Sequence, residues 1–504
     1  MKDTIIINGK ELDWLEIGEG FKIPSFNQSV TTAEVPGRNG SVFKSSKIGE
    51  LDITIPLIIK NEWLTQDKDY DTIVNELVRF LDYGENPVQL RIKSKQWYWK
   101  AYFEGPIEIL NKTEQFMLIE MKFRLCDPYK YALEGNTNTA ISDSVSVVNT
   151  GTANTPVIVE ARALKDSTNF FISKNNEDYF MVGKPEDADK ETKDLEPYIF
   201  NDEFNVNHLR NWQYVPNDTS YGNLLDGGDA MGGRFELSSL KESIYPNKWG
   251  NNTKTGWHGA AVFKSIGKSL QDFRIRFKVS LWQLPPNKKG TGKAVAYLYD
   301  DNNRKLFSVG YVNTATTTLK PIIIVYGYNE YGEARQIYTR MVPEKLLKLK
   351  NIHAFIFFER RGQDFKITTY FYDVVKDSAR KKPLYKEVKT AKDRGSIYQR
   401  PARTMHMYIG KAAKYSTNMH TRILGIKLQE LLPNNNDAIG IKIREGDLVE
   451  LDTGQNLVKI NGDDALDLKD FGSNFFKVDR GHTELIVSPP NTFDTVVKWQ
   501  DRWI

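Results

Sequence analysis

The fold of this chain is indicated by two distant stretches of sequence. They are Asn149-Thr-Gly-Thr-Ala-Asn-Thr-Pro-Val-Ile-Val-Glu160 and Gly446-Asp-Leu-Val-Glu-Leu-Asp-Thr-Gly454. Both combine a short strand pattern of valine, isoleucine and leucine with turn residues, which is typical of a small β-sandwich. The sequence that separates them is long enough for a complete further domain. We therefore expect one sandwich domain that is interrupted by an inserted domain.

The composition is that of a globular protein with several domains. A chain of 504 residues is too long for one ordinary core. The 69 Lys and Arg residues nearly balance the 65 Asp and Glu residues, so we do not expect nucleic acid as a partner. The one cysteine, Cys126, excludes an intramolecular disulfide and a cysteine zinc site. We expect it to be a small buried hydrophobic residue.

The apolar segments are short. The N-terminal run Met1–Asn8 is too short for a signal peptide, and no later window approaches the roughly 20 apolar residues of a membrane span. We therefore expect synthesis in a cytoplasm and no membrane partner.

Residues 1–134 predict a β-sheet unit covered by one helix. Leu51–Ile59 alternates with a period of two, and Asp69–Tyr83 carries an apolar stripe at helical spacing before Gly84. We expect Asp127-Pro128-Tyr129 to end this unit, because proline cannot donate a hydrogen bond to a strand ladder. Residues 134–146 are rich in Asn, Thr and Ser and predict a connector.

The polar segments 184–197 and 432–437 predict exposed linkers at both ends of the inserted domain, residues 198–433. Within it, Phe273–Leu281 places Ile275, Phe277, Val279 and Leu281 on one face of a strand. Asp300–Asn303 predicts a hairpin turn. Many such short strands predict a two-sheet sandwich or jelly roll.

Several motifs in the two outer parts of the chain resemble the distal tail proteins of siphophages. The resemblance covers residues 1–183 and 437–504 and rests on Pro36-Gly-Arg-Asn-Gly40, Phe123–Tyr131, Asp479-Arg-Gly-His482 and Trp499–Ile504. It implies a mainly β protein with an N-terminal β-sheet or split-barrel ring domain, residues 1–134. A discontinuous galectin-like β-sandwich, residues 141–183 plus 437–504, follows it. The inserted domain is similar in pattern to concanavalin- and laminin-G-like jelly rolls at Asn201–Phe204, Trp212 and Tyr408–Gly410.

The resemblance also implies a structural virion protein at the phage tail tip, neither an enzyme nor a carrier of a cofactor. It implies a homo-hexameric ring that joins the tail tube protein to tail-associated, fibre and baseplate proteins. Arg38, Asn39, Trp97 and Trp99 are candidates for the ring interface. The alternative is that Arg38 is a solvated turn residue and Trp99 a core residue.

Aromatic residues of the inserted domain are candidates for binding carbohydrate of the bacterial cell wall. Sugars stack on flat aromatic faces, and several aromatic residues fall on strand faces opposite the core stripe. If their strands are neighbours, they form one shallow platform; these residues are Trp282, Tyr370, Tyr372, His406 and Tyr408. Trp249 and Trp257, in loops rich in Gly and Asn, are a second candidate rim. Alternatively, a loop or another strand layer covers the platform, and the loop tryptophans close the end of the sandwich.

Other functions of the inserted domain stay open. It is alternatively a hydrolase of cell-wall polysaccharide or a docking domain for baseplate proteins. Glycoside hydrolysis needs two carboxylates about 5–10 Å apart, and no strand offers such a pair in an aromatic setting. Asp226–Asp229 and Asp300–Asn303 supply oxygen ligands, but turn chemistry explains both. We therefore predict no metal site.

Overall fold

The computed structural model describes residues 3–60, 70–81, 84–112, 116–204, 209–251, 256–282, 290–315, 320–347, 349, 351–374, 383–413, 419–434 and 437–504. The chain is mainly β and divides into two compact units. The first unit is Met1–Pro185 together with Lys442–Ile504, and the second is Glu186–Ile441. The chain therefore leaves the first unit and later returns to it, which confirms the predicted interruption. None of the described helices is long and apolar enough to cross a membrane.

An open β-sheet and one helix form the N-terminal part of the first unit. The elements are β1 Ile5–Ile7, β2 Leu15–Ile17, β3 Gln28–Glu34, β4 Ser41–Ile48, β5 Leu51–Lys60, α1 Tyr70–Leu81, β6 Val88–Ile92, β7 Trp97–Lys112 and β8 Phe116–Ala132. The strand order is β1-β6-β7-β8-β5-β2, and among the described residues β1 and β2 form no ladder that would close a barrel. The predicted apolar stripe of α1, including Ile73 and Leu77, is buried in the core of this sheet.

Two sequence predictions in β8 are wrong. The strand does not end at Pro128 but continues to Ala132. Its register against β7 shifts between Trp99 and Lys100, so Pro128 falls in a bulge without a partner residue and needs no ladder donor. Cys126 is exposed rather than buried.

Strands β3 and β4 form a separate two-stranded hairpin, which we call the arm. Nearly all of its residues are exposed. Its apolar side chains are exposed too, with Val30 at 57% and Phe43 at 61% of their full surface. The motif Pro36–Gly40 forms the turn at its tip.

The second part of the first unit is a β-sandwich built from both sides of the insertion. Before the insertion lie β9 Asn136–Thr139, β10 Ser144–Asn149, β11 Val157–Ala163, β12 Asn169–Ser173 and β13 Tyr179–Gly183. Residues 136–139 are thus a strand, and not the connector that their composition predicted.

The inserted unit contains eighteen of the described strands. They are β14 Glu191–Lys193, β15 Tyr198–Glu203, β16 Gln213–Tyr214, β17 Asp229–Ala230, β18 Arg234–Leu237, β19 Ile244–Lys248, β20 Trp257–Leu270, β21 Phe273–Trp282, β22 Gly292–Tyr299, β23 Lys305–Asn313, β24 Ile322–Tyr328, β25 Ala334–Met341, then, after the short helix α2 Glu344–Leu347, β26 Asn351–Arg361, β27 Asp364–Asp373, β28 Tyr385–Lys392, β29 Ala402–Ala412, β30 His420–Glu430 and β31 Ala438–Gly440. The chain then returns through β32 Leu448–Asp452, β33 Leu457–Ile460, β34 Asp463–Asp464, a 3-10 turn at Leu466–Leu468, β35 Gly481–Ser488, β36 Phe493–Trp499 and β37 Arg502–Trp503.

Strand β11 lies at the centre of the interrupted sandwich. It pairs with β32 on one side and β36 on the other, so that Val157 lies opposite Trp499. This six-stranded sheet, β34-β33-β32-β11-β36-β9, and the four-stranded sheet β10-β35-β12-β13 share one apolar core. The last strand differs from the prediction, because β37 leaves the sandwich and pairs with β8 of the N-terminal sheet.

The inserted unit is a sandwich of two large sheets. The β21 sheet has the order β18-β19-β30-β21-β26-β27-β28, with β15 also paired to β30. The β22 sheet has the order β16-β20-β29-β22-β23-β24-β25, with β17 also paired to β20. Ile275, Phe277 and Val279 lie in the core between them, as their alternation predicted; the side chain of Leu281 lies outside the described part.

The segments predicted as linkers are partly ordered. Glu191–Lys193 pairs in parallel with Ala438–Gly440, which ties together the two chain crossings at the base of the insertion. The domain boundaries that the sequence predicted stay predictions.

Candidate functional site

The five aromatic residues predicted to form one platform lie in two different sheets. Trp282, Tyr370 and Tyr372 belong to the β21 sheet, whereas His406 and Tyr408 belong to the β22 sheet. The apolar core lies between the two sheets, so a single platform does not form. Alternation identifies the face of a strand that points away from the core, but it does not identify the sheet to which the strand belongs.

Both tyrosines of the β21 sheet are buried. Tyr370 and Tyr372 form a small aromatic cluster with Phe355 and Phe357 on the face that points away from the core. The strand position of Trp282 is opposite Asn351, and its side chain lies outside the described part.

The tyrosine and histidine of the β22 sheet lie beneath residues 219–230, which we call the covering segment. Tyr221 of this segment stacks on Tyr297 with ring centres 4.3 Å apart and an angle of 6° between the planes. Its hydroxyl is 3.1 Å from Nδ1 of His406. Tyr408 is fully buried beside it. For this half of the predicted platform, the alternative that a loop covers the face is therefore correct.

Charged side chains hold the covering segment on the sheet. Nζ of Lys293 donates to the carbonyl oxygens of Leu225 and Gly227 at 2.8 and 2.5 Å. The carboxylate of Asp226 accepts a hydrogen bond from the hydroxyl of Tyr328 and is fully buried. Burial lowers the pKa of Lys293 to about 7, although the nearby Asp226 acts in the opposite direction.

A glycine allows the covering segment to approach this closely. Gly228 has φ of +150°, and a Cβ atom on it would lie 2.5 Å from the hydroxyl oxygen of Tyr408. A larger residue would therefore clash with a buried ring and adopt a strained backbone. The covering segment is therefore packed closely on the outer face of the β22 sheet.

Trp249 and Trp257 remain partly exposed, and Trp249 also packs against the core of the inserted sandwich. The ammonium of Lys293 lies 4.0 Å from the ring centre of Trp257, and that of Lys411 lies 5.0 Å from the ring centre of Trp249. Nδ1 of His258 is 3.1 Å from the carbonyl oxygen of Trp249, so this nitrogen must carry the proton.

We call the region formed by Trp249, Trp257 and the cations beside them the tryptophan corner. Its rings have apolar faces for a sugar to stack on, and their N–H groups and the ammonium group of Lys411 can donate hydrogen bonds, whereas the ammonium of Lys293 is buried. Of the seven predicted glycan-binding residues, these two are the ones that the described structure leaves partly accessible on the surface.

Two carboxylates of the inserted unit, Asp300 and Glu359, are bound by other protein groups. Asp300 accepts hydrogen bonds from the backbone N–H groups of Asn302 and Arg304 and contacts Arg400. Burial acts to raise the pKa of Asp300, but these hydrogen bonds hold it below its usual range. Glu359 is bound by Arg274 and Arg361. Among the described residues, no group of three or more His, Cys, Asp or Glu side chains could hold a metal ion.

The ring-interface candidates differ in exposure. Arg38 and Asn39 are exposed at the tip of the arm, and Trp97 is partly buried. Trp99 is fully buried in the core of the N-terminal sheet, with its ring edge against Trp97 at 4.6 Å. Trp99 is therefore a core residue, as the alternative interpretation had it.

Sequence reasoning missed two features. The covering segment contains the motif Asp226-Gly-Gly-Asp229, which we interpreted only as a turn, although a glycine pair beside acidic residues also permits close approach of backbone to a sheet. The exposed apolar residues of the arm were missed because a strand with mixed residues gives no sign of whether a core lies beside it.

Two family models match the outer segments of this chain. The siphovirus-type tail component, C-terminal domain, matches residues 432–503. The phage tail protein RIFT-related domain matches residues 10–124. No curated protein matches the chain.

Several solved structures are each similar to part of the chain. The SPP1 Dit protein, described as a paradigm of the hub adsorption apparatus in phages that infect Gram-positive bacteria, is 16% identical with a TM-score of 0.31, over 36% of this chain and 74% of that one. The CBM2 module of the evolved Dit of Lactobacillus casei BL23 phage J-1 is 12% identical with a TM-score of 0.36, over 48% and 99%. A family 16 glycoside hydrolase of Bacteroides ovatus is 12% identical with a TM-score of 0.31, over 46% and 99%.

Proposed function

We propose that this chain, a Dit-like siphophage tail protein with an inserted carbohydrate-binding-like module, forms a ring at the distal end of the tail and binds the bacterial cell wall through that module. One observation carries the tail assignment: both segments that match phage tail families lie in one compact unit, apart from residues 432–441 of the second match, although most of the insertion separates them in sequence. The proposed ring is a homo-hexamer that contacts the tail tube protein and baseplate proteins, and the chain is made in the cytoplasm of the bacterial host.

The arm supports assembly into a ring. A two-stranded hairpin alone is only marginally stable in water, and this arm exposes Val30 and Phe43 without a core of its own. A neighbouring subunit that covers these side chains would remove apolar surface from water. Contacts between unlike surfaces of identical subunits close into a ring when the rotation allows it.

Electron microscopy of the purified protein tests the ring. We expect closed rings with six peripheral lobes, one for each inserted unit. Particles that remain single subunits at high protein concentration would contradict the assembly.

The tryptophan corner supports glycan binding by the inserted unit. Its two partly exposed indole rings lie beside ammonium groups, which is the combination that a sugar recognises through stacking and hydrogen bonds. Six copies on one ring would raise the avidity of weak single sites by roughly 10²–10⁴-fold. Weak individual sites would let the particle search the cell surface before it attaches.

Retention on purified cell-wall polysaccharide tests this role. We expect the full chain to be retained without releasing products, and Trp257→Ala to reduce retention about tenfold, while Tyr331→Ala, which removes an exposed aromatic residue elsewhere in the unit, has no effect. Release of oligosaccharides would instead indicate a hydrolase. Absence of both retention and product release would indicate a docking domain for baseplate proteins.

A further inference from the structure

The tryptophan corner contains four basic side chains, of which Lys293 is buried near Asp226 and the other three are at least partly exposed. Arg234 and Lys248 are exposed and lie opposite each other in the pairing of β18 with β19. Lys411 lies on the ring of Trp249, the residue that follows Lys248, and Lys293 lies beneath Trp257. Among the described residues, none of these four side chains has a carboxylate oxygen within 4.0 Å.

Three other cations of the inserted unit are paired with carboxylates. Arg274 binds Glu196 and Glu359, Lys264 binds Asp202 at 2.6 Å, and Arg400 binds Asp300. The tryptophan corner therefore differs from these three positions in its charge, and not only in its aromatic residues.

Uncompensated positive charge has a cost in the free protein. Like charges directly opposite each other in an antiparallel pair are destabilising, as Arg234 and Lys248 are here. Burial lowers the pKa of Lys411, and the pKa of His258 is lowered by burial and by the charge of Lys411. Asp229 lies opposite His258 in register and has interactions of its own. A bound anion would relieve this repulsion.

We propose that the tryptophan corner binds a saccharide that carries phosphate or carboxylate groups. The sugar ring stacks on Trp257 or Trp249, and its anionic group lies among Arg234, Lys248 and Lys411. This inference rests on the proposed function of the inserted unit as a glycan-binding module, and it adds the chemical class of the glycan. Hydrogen bonds to charged groups are about twice as strong as neutral ones, so charge determines which saccharides bind.

Binding of the full chain to three polymers tests the inference: phosphomannan, the same mannan after removal of its phosphates, and oligogalacturonate. We expect at least one of the two anionic polymers to bind about tenfold or more tightly than dephosphorylated mannan, with an affinity that falls as salt rises. Stronger binding of phosphomannan identifies phosphate as the anionic group, and stronger binding of oligogalacturonate identifies carboxylate.

Matched variants locate the site. Lys248→Gln and Arg234→Gln should each weaken binding of the preferred anionic polymer several-fold, because each removes one exposed charge at the corner. Lys366→Gln removes an exposed charge on β27, four strand spacings or about 19 Å from β19 in the same sheet, and should have no effect. All three positions are exposed, and Lys248→Gln and Arg234→Gln each remove a like-charge repulsion, so none of the three variants should unfold at a lower temperature.

Two results overturn the inference. The first is equal binding of charged and uncharged mannan with no effect of Lys248→Gln or Arg234→Gln, which leaves glycan binding in place and removes the role of charge. The second is no binding to any of the three polymers. The proposed function is decided separately, by retention on cell-wall polysaccharide.

Discussion

The arm and the inserted sandwich handle apolar surface in opposite ways. The arm exposes Phe43 and Val30 on a hairpin that has no core, whereas the inserted unit buries Phe307 completely among other rings. An apolar residue such as Phe307 in the inserted unit is therefore covered by other residues of the same chain. In the arm, no core of the described residues covers such a residue. This difference is what the proposed role of the arm in assembly requires.

The largest expected effect on stability comes from the same substitution, phenylalanine to alanine, made in each of the two regions. Phe307→Ala should lower the free energy of unfolding of the inserted unit by about 3–5 kcal/mol, because it leaves a cavity beside Phe273, Phe358 and Phe365. Phe43→Ala should change the stability of the unassembled subunit by less than about 0.5 kcal/mol. Chemical denaturation of both variants checks this. Equal changes in the free energy of unfolding for the two variants would contradict the difference between the two regions.

The stability of the inserted unit should also depend on His406. Burial lowers the pKa of its imidazole to about 4, below the 6.5 of an exposed histidine. Between these values the unfolded chain binds a proton that the folded chain does not, so stability falls as the pH falls from 6.5 to 4. His406→Gln should reduce this loss by up to about 3 kcal/mol. Denaturation at pH 7 and pH 4.5 measures it.

The outcome that would contradict this prediction is an identical loss of stability in His406→Gln and the unsubstituted chain. It would mean that the imidazole is protonated beneath Tyr221, and that the covering segment opens more readily than its contacts indicate.

A substitution in the arm should have the smallest effect on folding. It therefore distinguishes an effect on assembly from an effect on folding. Phe43→Asp places a charge on a side chain that is already exposed, so the subunit should unfold at nearly the same denaturant concentration as the unsubstituted chain. The same charge would lose its hydration if a neighbouring subunit covered it, so assembly should fail.

Much of the fold could be predicted from the sequence. Alternation placed Ile275 and Phe277 in a core, and helical spacing placed Ile73 and Leu77 under a helix. The interruption was also predictable, because the strand at Val157 needed a partner that only the distant C-terminal sequence supplied.

The site was harder to predict, for physical reasons. The alternation of His406 and Tyr408 correctly placed both on the face away from the core. It could not show that Tyr221, far away in sequence, covers that face. Pro128 was misjudged because a bulge removes the need for its missing donor. The cover over His406 and Tyr408 and the bulge at Pro128 both depend on contacts between residues that are far apart in sequence. The local sequence pattern carries no information about such contacts.

Sedimentation of the full chain and of Phe43→Asp over a range of concentrations tests whether the arm is responsible for assembly. We expect the unsubstituted chain to assemble into a closed oligomer, whereas Phe43→Asp should stay a folded single subunit. A Phe43→Asp variant that assembles as the unsubstituted chain does, or an unsubstituted chain that never assembles, would contradict the assignment of the arm to assembly.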